Sequence, residues 1–594
     1  MGMKKFFLVT LLVSFYAFSY GAYLTDIPIT VYQPDGMELQ IYASGDEYYN
    51  WLHDKNGYTI VINTEGYYVY AQLDEKNDKL YASCYIVGKS VPQNIGIKPC
   101  LNISSTNIMS LRSQQLECDT ELSTKNSNSK NISSYPTIGG LNNIVIYIRF
   151  ADQTEFTDSQ VKYTNLFNND TVGRNSLFNY FKETSYNQLF VTSTFYPLNN
   201  GSTILSYQDI HTSAYYSPQT ISIDSGYTND SEKAIRKADL LVRAINYVKN
   251  DIPATLNIDS NNDGDVDNIS FIIRGSSNGW ADLLWPHMGE LHGGGGTRIN
   301  GKYVNAYNFQ LENVINTKGV GVLCHEFCHS LGAPDLYHYD NDGYVPIGIW
   351  DLMASETNPP QHMSACVKWN YFHWISAIPE IMTTGTYYLN PLTDSANNCY
   401  KIAISGSPDF LILEYRKKSG IFEMNLPNSG LLIYRIHPNS TGEIQGNQYG
   451  QGLAGTNNGI FVYRKDGTMN SNGSINFATF SKNSGRTRFS SNSNPQSFLA
   501  DNSIANVLIK NISVAEDSIS FYVKFCDGDN IQYTNTSNLP TITNASNSVS
   551  TNGVVTVKST DDIIFEARNS VVLDKNFFVN LGGTLKINMD GCFE

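Results

Sequence analysis

The chain has no hydrophobic run long enough to cross a bilayer. Its longest apolar stretch, Phe6 to Phe18, falls short of the roughly 20 residues that a spanning helix needs, and no later stretch of the 594 residues qualifies. No membrane span is expected. The chain also lacks an excess of positive charge: 40 Lys and Arg stand against 55 Asp and Glu, giving a net charge of −15 and a pI near 5.1. Nucleic acids and anionic membranes are bound by basic surfaces that displace counterions. Neither is an expected partner, whereas an acidic chain suits calcium. Cysteine is sparse as well. Nine residues spread unevenly from Cys84 to Cys592 cannot make a disulfide scaffold, and their odd number leaves at least one unpaired within the chain.

What is present is modular, since 594 residues are too many for one core. Met1-Gly-Met-Lys-Lys5, the apolar run and Ser19-Tyr-Gly-Ala22 make up a basic start, a short apolar centre and a small-residue cut site after Gly21. That is the pattern of a secretory signal over residues 1–21 and predicts an extracellular or cell-surface protein. Residues 22–135 begin with β-prone runs such as Tyr58–Asn63 and Gly66–Ala71. They end in Glu121–Ser134, a polar stretch with too little apolar surface to fold, open to cutting at Lys125 and Lys130. A folded module before a cleavable linker reads as a propeptide or as an accessory domain.

Residues 136–380 open on the continuous apolar run Asn143–Phe150, the mark of a buried strand. Helices follow at Ser176–Tyr186 and from a cap at Ser231 to before Pro253. From 381 to 526, strand-like runs such as Phe410–Tyr415, Gly430–Ile436 and Ile519–Val523 fit a β-sandwich. Residues 527–594 read as an Asn/Ser/Thr-rich linker to Gly553 and then a small β module. The fold class is α+β, with β modules on both sides of the central part.

The chemistry is concentrated in Gly321–Asp335. His325 and His329 are four residues apart, so on a helix they share a face and both imidazoles can reach one metal ion. Glu326 is turned about 100° away around the helix and is free to act as base toward a water held at the metal. Gly332 can stop the helix and turn the chain, which lets Asp335 return to the same ion. Two histidines and one carboxylate leave a tetrahedral position open, as a catalytic zinc site requires. Cys324 and Cys328 flank the histidines and read as small buried helix residues rather than thiolate ligands.

A second metal pattern lies at Asp259-Ser-Asn-Asn-Asp-Gly-Asp-Val-Asp267, where oxygens recur at alternate positions around Gly264. Asp259, Asn261 and Asp263 could bind calcium through side chains, Asp265 through its carbonyl, and Asp267 directly or through water. Position twelve is Ser270 instead of a glutamate, so the loop is not a complete EF-hand. The alternative is a turn built from good turn formers. His287, in Trp285-Pro-His287, could face substrate or be structural.

His325-Glu326-x-x-His329-x-x-Gly332-x-x-Asp335, Gly348-Ile-Trp-Asp-Leu-Met353-Ala and Pro360-Gln-His-Met-Ser-Ala365 together resemble the immune inhibitor A-like secreted zinc metalloproteases. The resemblance implies a metzincin-like catalytic domain, Asp335 as third zinc ligand, Met353 in a turn beneath the metal, and a propeptide. Ser355 follows Met353 where some other metzincins have a tyrosine, so no tyrosine ligand is expected there. Ser44-Gly45-Asp46 resembles the Gly-Asp element with which astacin-type propeptides block their zinc. It makes Asp46 a candidate for latency beside Cys84 and Cys100, or else an ordinary turn.

The function these readings predict is zinc-dependent endopeptidase action on protein or peptide substrates, with structural calcium. The rival is a non-catalytic adhesin or glycan-binding protein with a remnant metal site. The C-terminal β modules could attach the protein to a surface or glycan.

Overall fold

A computed structural model describes residues 21–125, 136–199, 201–219, 223–275, 285–291, 296–339, 342–438, 459–526 and 528–589. Residues 1–20 of the expected 1–21 signal and Lys130 lie outside the described residues. The chain packs as two compact units: Met1–Ser134 with Asn142–Gln160 and Thr194–Val314, and Tyr135–Leu141 with Val161–Ser193 and Ile315–Glu594. This division runs through the expected stretch 136–380.

In the first unit, six antiparallel strands from Leu24–Tyr32 to Lys79–Ile86 pair in sequence order. Alternation decides the buried face, since Ile27, Ile29 and Val31 of the first strand point inward while the residues between them are exposed. The helix Ser105–Lys125 follows, so Glu121–Lys125 is helical and not linker. Its polar sequence hid it: of the side chains from 105 to 115 only Ile108 is buried, too little apolar surface for a helical period. Further on, Asn268–Ile273 lies parallel between Gly139–Arg149 and Ala306–Leu311, with His287–Glu290 antiparallel beyond. Ile144 to Ile148 are wholly buried, as a continuous apolar run requires. The helix Asp230–Val248 starts two residues earlier than expected, capped by Asn229, whose side chain accepts from the Glu232 N–H.

The second unit holds the helices Leu177–Thr184, Val320–Ser330 and Ala365–Asn370 and two antiparallel sheets. Gly385–Leu389, Ile519–Lys524 and Leu508–Lys510 form one; Cys399–Ala403, Phe410–Arg416, Gly430–Ile436 and Ile460–Val462 form the other. Leu389, Phe521 and Val523 of the first share a core with Leu411, Leu413, Ile433 and Phe461 of the second. No unit boundary falls at residue 380. Arg416 shows one physical reason. This fully buried guanidinium pairs with Glu414 and Glu423 and donates to the carbonyls of Trp350 and His362 on either side of the Met353 turn.

At the C-terminus the expected linker 527–553 is instead built of strands, Gly528–Thr534 and Ile542–Asn552. The strands run parallel and stack at a 22-residue spacing: Ile542 pairs with Ile564, Ser548 with Ser570, Val555 with Phe577 and Asp562 with Thr584. The asparagines that suggested a linker form a ladder. Asn569 donates to Asn547 at 2.6 Å, and Asn547 to Asn530 at 2.7 Å, so polar side chains bond to each other between rungs. Among the described residues no helix is long and apolar enough to cross a membrane.

Candidate metal centre

The helix Val320–Ser330 is buried over its whole length. It packs closely: a β-carbon on Gly321 would lie 2.2 Å from the Thr357 carbonyl. Its end is set by Gly332 at φ +97°, in the left-handed region. The Ala333 N–H reaches back to the Cys328 carbonyl (3.1 Å) and the Gly332 N–H to that of His329 (2.9 Å), the paired bonds of a Schellman stop. This reversal puts the Ala333 carbonyl 2.8 Å from His329 Nδ1 and carries Asp335 back over the helix. Gly332→Ala should cost about 1–2 kcal/mol from the left-handed backbone alone, and since space is open there, strain is its only cause. Thermal melting of metal-free protein checks the cost, and chelator competition should show weakened metal binding.

Asp335 Oδ1 lies 3.1 Å from His325 Nε2 and 3.3 Å from His329 Nε2, and the two Nε2 atoms are 3.1 Å apart. All three residues are buried, and they are the only group of three potential metal ligands among the described residues, their ligand atoms all within 4.8 Å. The outer nitrogens fix the inner ones. His325 Nδ1 is 3.0 Å from the Leu352 carbonyl and His329 Nδ1 faces Ala333, and a carbonyl can only accept, so each Nδ1 carries the proton and each Nε2 lone pair points inward. The donor set therefore fits a tetrahedral metal such as zinc.

A proton competes with a metal ion for these same atoms. Burial favours neutral Asp335, but His329 and His325 outweigh it and hold the carboxyl down near 2. Burial also opposes charge on His325, but Asp335 overcomes it and raises that imidazole to about 9. Burial keeps His329 below its ordinary range.

The Met353 turn is tied to this site. The Leu336 N–H donates to the Met353 carbonyl at 2.8 Å, next to Asp335. The Asp351 carboxylate takes the N–H groups of Met353 (2.8 Å) and Ser364 (2.7 Å), holding the turn that aims the Leu352 carbonyl at His325. Glu326 is wholly buried on the helix beside His325.

The other candidates belong to the first unit. In the Asp259–Asp267 loop the carboxylates bind the loop itself: Asp259 accepts from the N–H groups of Asp263 (3.0 Å) and Gly264 (3.2 Å), Asp263 from Asp265 (2.9 Å), and Asp267 from Ser260 (2.9 Å). Asn261 donates to Asp263, and Lys302 forms an ion pair with Asp259. Asp46 is buried in the turn after Glu38–Gly45, where Oδ1 accepts from the N–H groups of Tyr48 (2.9 Å) and Tyr49 (2.8 Å). His287 is buried, 2.6 Å from the Trp285 carbonyl and 3.2 Å from Lys237 Nζ, which is a structural setting.

Sequence reasoning missed a buried acid–base chain. His362 Nε2 is 3.2 Å from Glu183 Oε1, its Nδ1 is 3.0 Å from Lys368 Nζ, and Lys368 donates to the Tyr186 hydroxyl at 3.1 Å. The only signal was His362 within Pro360–Ala365, noted for its resemblance and not for its partners.

A buried His-His-Asp cluster with a glutamate next to the first histidine is the constellation of a metallopeptidase. Residues 274–361 match the family model described as immune inhibitor A peptidase M6, catalytic domain. The resemblance is thus to the immune inhibitor A-like metalloproteases, and the match supports a metallopeptidase. A search of the curated proteins finds no match.

Proposed function

We propose that the protein is a secreted zinc-dependent endopeptidase acting on protein substrates, with Glu326 as general base. The observation that carries this reading is the convergence of His325, His329 and Asp335 beside a helical glutamate, within a stretch matching a peptidase domain. Zinc bound there would supply a Lewis acid that polarises the scissile carbonyl and acidifies water. The two imidazoles and Asp335 would hold the ion. Glu326 takes the proton from the attacking water and passes it to the leaving amine. The buried helix excludes bulk water, which strengthens each of these interactions.

On sequence grounds alone the proposal extends to export by the 1–21 signal, a metzincin-like site over Met353, and latency imposed by residues 22–135. Blocking by Asp46 would require its turn to open. Casein cleavage tests the reading, run on the full chain and on chain cut near Lys125, with chelator and with zinc restored. Metal-independent cleavage, or none by the cut, zinc-loaded protein, would discard it.

Structural calcium at Asp259–Asp267 is a separate proposal. Burial raises the Asp267 carboxyl, and Asp259 and Asp263 add to the effect, which a bound cation would offset. Calcium in the millimolar range of extracellular sites should raise the melting temperature. Asp263→Ala should abolish that rise; a wild-type melting curve indifferent to calcium leaves the charge to Lys302 alone.

A further inference from the structure

The geometry points to Tyr339 as the positioning residue that keeps Asp335 a one-oxygen ligand and so keeps a coordination position open. The inference rests on the metallopeptidase reading and deepens it. His325 and His329 are held from behind by backbone carbonyls, of Leu352 and Ala333. Asp335 is held by a side chain. Its Oδ1 faces both Nε2 atoms, while its Oδ2 accepts a 2.8 Å hydrogen bond from the Tyr339 hydroxyl. Carboxylate and phenol are both buried, so no bulk water competes for Oδ2.

The consequence is chemical. A carboxylate with both oxygens available can chelate a metal through the pair and fill two positions. With Oδ2 engaged, Asp335 offers Oδ1 alone, and three protein ligands then leave the open position a catalytic site requires. The hydroxyl also fixes the carboxylate's rotation, the role outer partners play for metal ligands generally. The spacing suits it, because Asp335 and Tyr339 are four residues apart in a loop whose Leu336 N–H is pinned to the Met353 carbonyl. The simpler account is packing, since Tyr339 meets Tyr337 edge-on with ring centres 5.2 Å apart.

Tyr339→Phe separates the two, because it retains the ring and removes the hydroxyl. Chelator competition should show zinc bound about 10–100-fold more weakly. The cobalt-substituted variant should lose visible-band intensity as its coordination number rises, while the wild type keeps the strong bands of low coordination. A packing residue would leave affinity and spectrum at wild-type values, which would overturn the inference. Zinc-edge X-ray absorption of the wild-type protein tests the same point without a variant: a four-coordinate first shell of nitrogen and oxygen supports it, and a five-coordinate shell overturns it. Wild-type protein that takes up neither zinc nor cobalt would instead defeat the metallopeptidase reading itself.

Discussion

Glu326→Gln should lose about 10²- to 10⁴-fold in turnover, the range for removing a positioned general base, while binding zinc as the wild type does. The substitution is nearly isosteric and the site is fully buried, so the fold should be little disturbed. Glu326 lies outside the group whose ligand atoms converge, so the metal should lose no ligand. Alanine at His325, His329 or Asp335 should behave differently, releasing the metal and lowering the melting temperature, because metal binding and folding are coupled. Metal analysis beside casein cleavage distinguishes the two outcomes. Zinc loss from Glu326→Gln equal to that of the ligand variants would overturn the assignment of roles.

Lys368→Met should remove a large pH dependence of stability. Lys368 is fully buried, and burial, opposed by Glu423, Glu414 and Glu183 and aided by Arg416, depresses its pKa from 10.5 to about 7. The unfolded chain keeps this proton up to about pH 10.5 and the folded chain releases it near 7, so between these values the unfolded state binds more protons and stability rises with pH. The destabilisation is full below pH 7, at roughly 5 kcal/mol, and vanishes above 10.5. Urea unfolding should therefore show wild-type stability gaining about 3 kcal/mol relative to Lys368→Met between pH 7 and 9.5. The slope is the decisive reading, since the variant also leaves His362 Nδ1 and the Tyr186 hydroxyl without the ammonium. Parallel pH curves for the two proteins would show that Lys368 is charged across the range.

How much was legible depended on distance along the chain. The spacing of His325 and His329 and the stop at Gly332 are local properties of one helix and its end, and both appear as expected. The run Asn143–Phe150 is a buried strand for a similar reason, since hydrophobicity without alternation needs both faces covered. Where composition stood in for pattern, the reading failed. Glu121–Lys125 and Gly528–Asn552 looked like linker because they are polar, yet the first ends a helix and the second holds strands of a parallel stack. A signal for the second was present: Ala545, Asn547, Ser548 and Val549 recur 22 positions on as Ala567, Asn569, Ser570 and Val571.

The sequence by itself determined the grouping of His325, His329 and Asp335, the glutamate beside the first histidine and the turn that returns Asp335, because these follow from helical geometry and one left-handed glycine. Tertiary structure alone decided what holds them. The Leu352 carbonyl on His325, the Arg416 clamp around the Met353 turn and the Glu183–His362–Lys368 chain join elements that approach each other only on folding. Their partners are backbone groups, which every residue carries, or polar side chains common in any sequence. No residue type marks them in advance, and burial is what forces each polar group to find its particular partner.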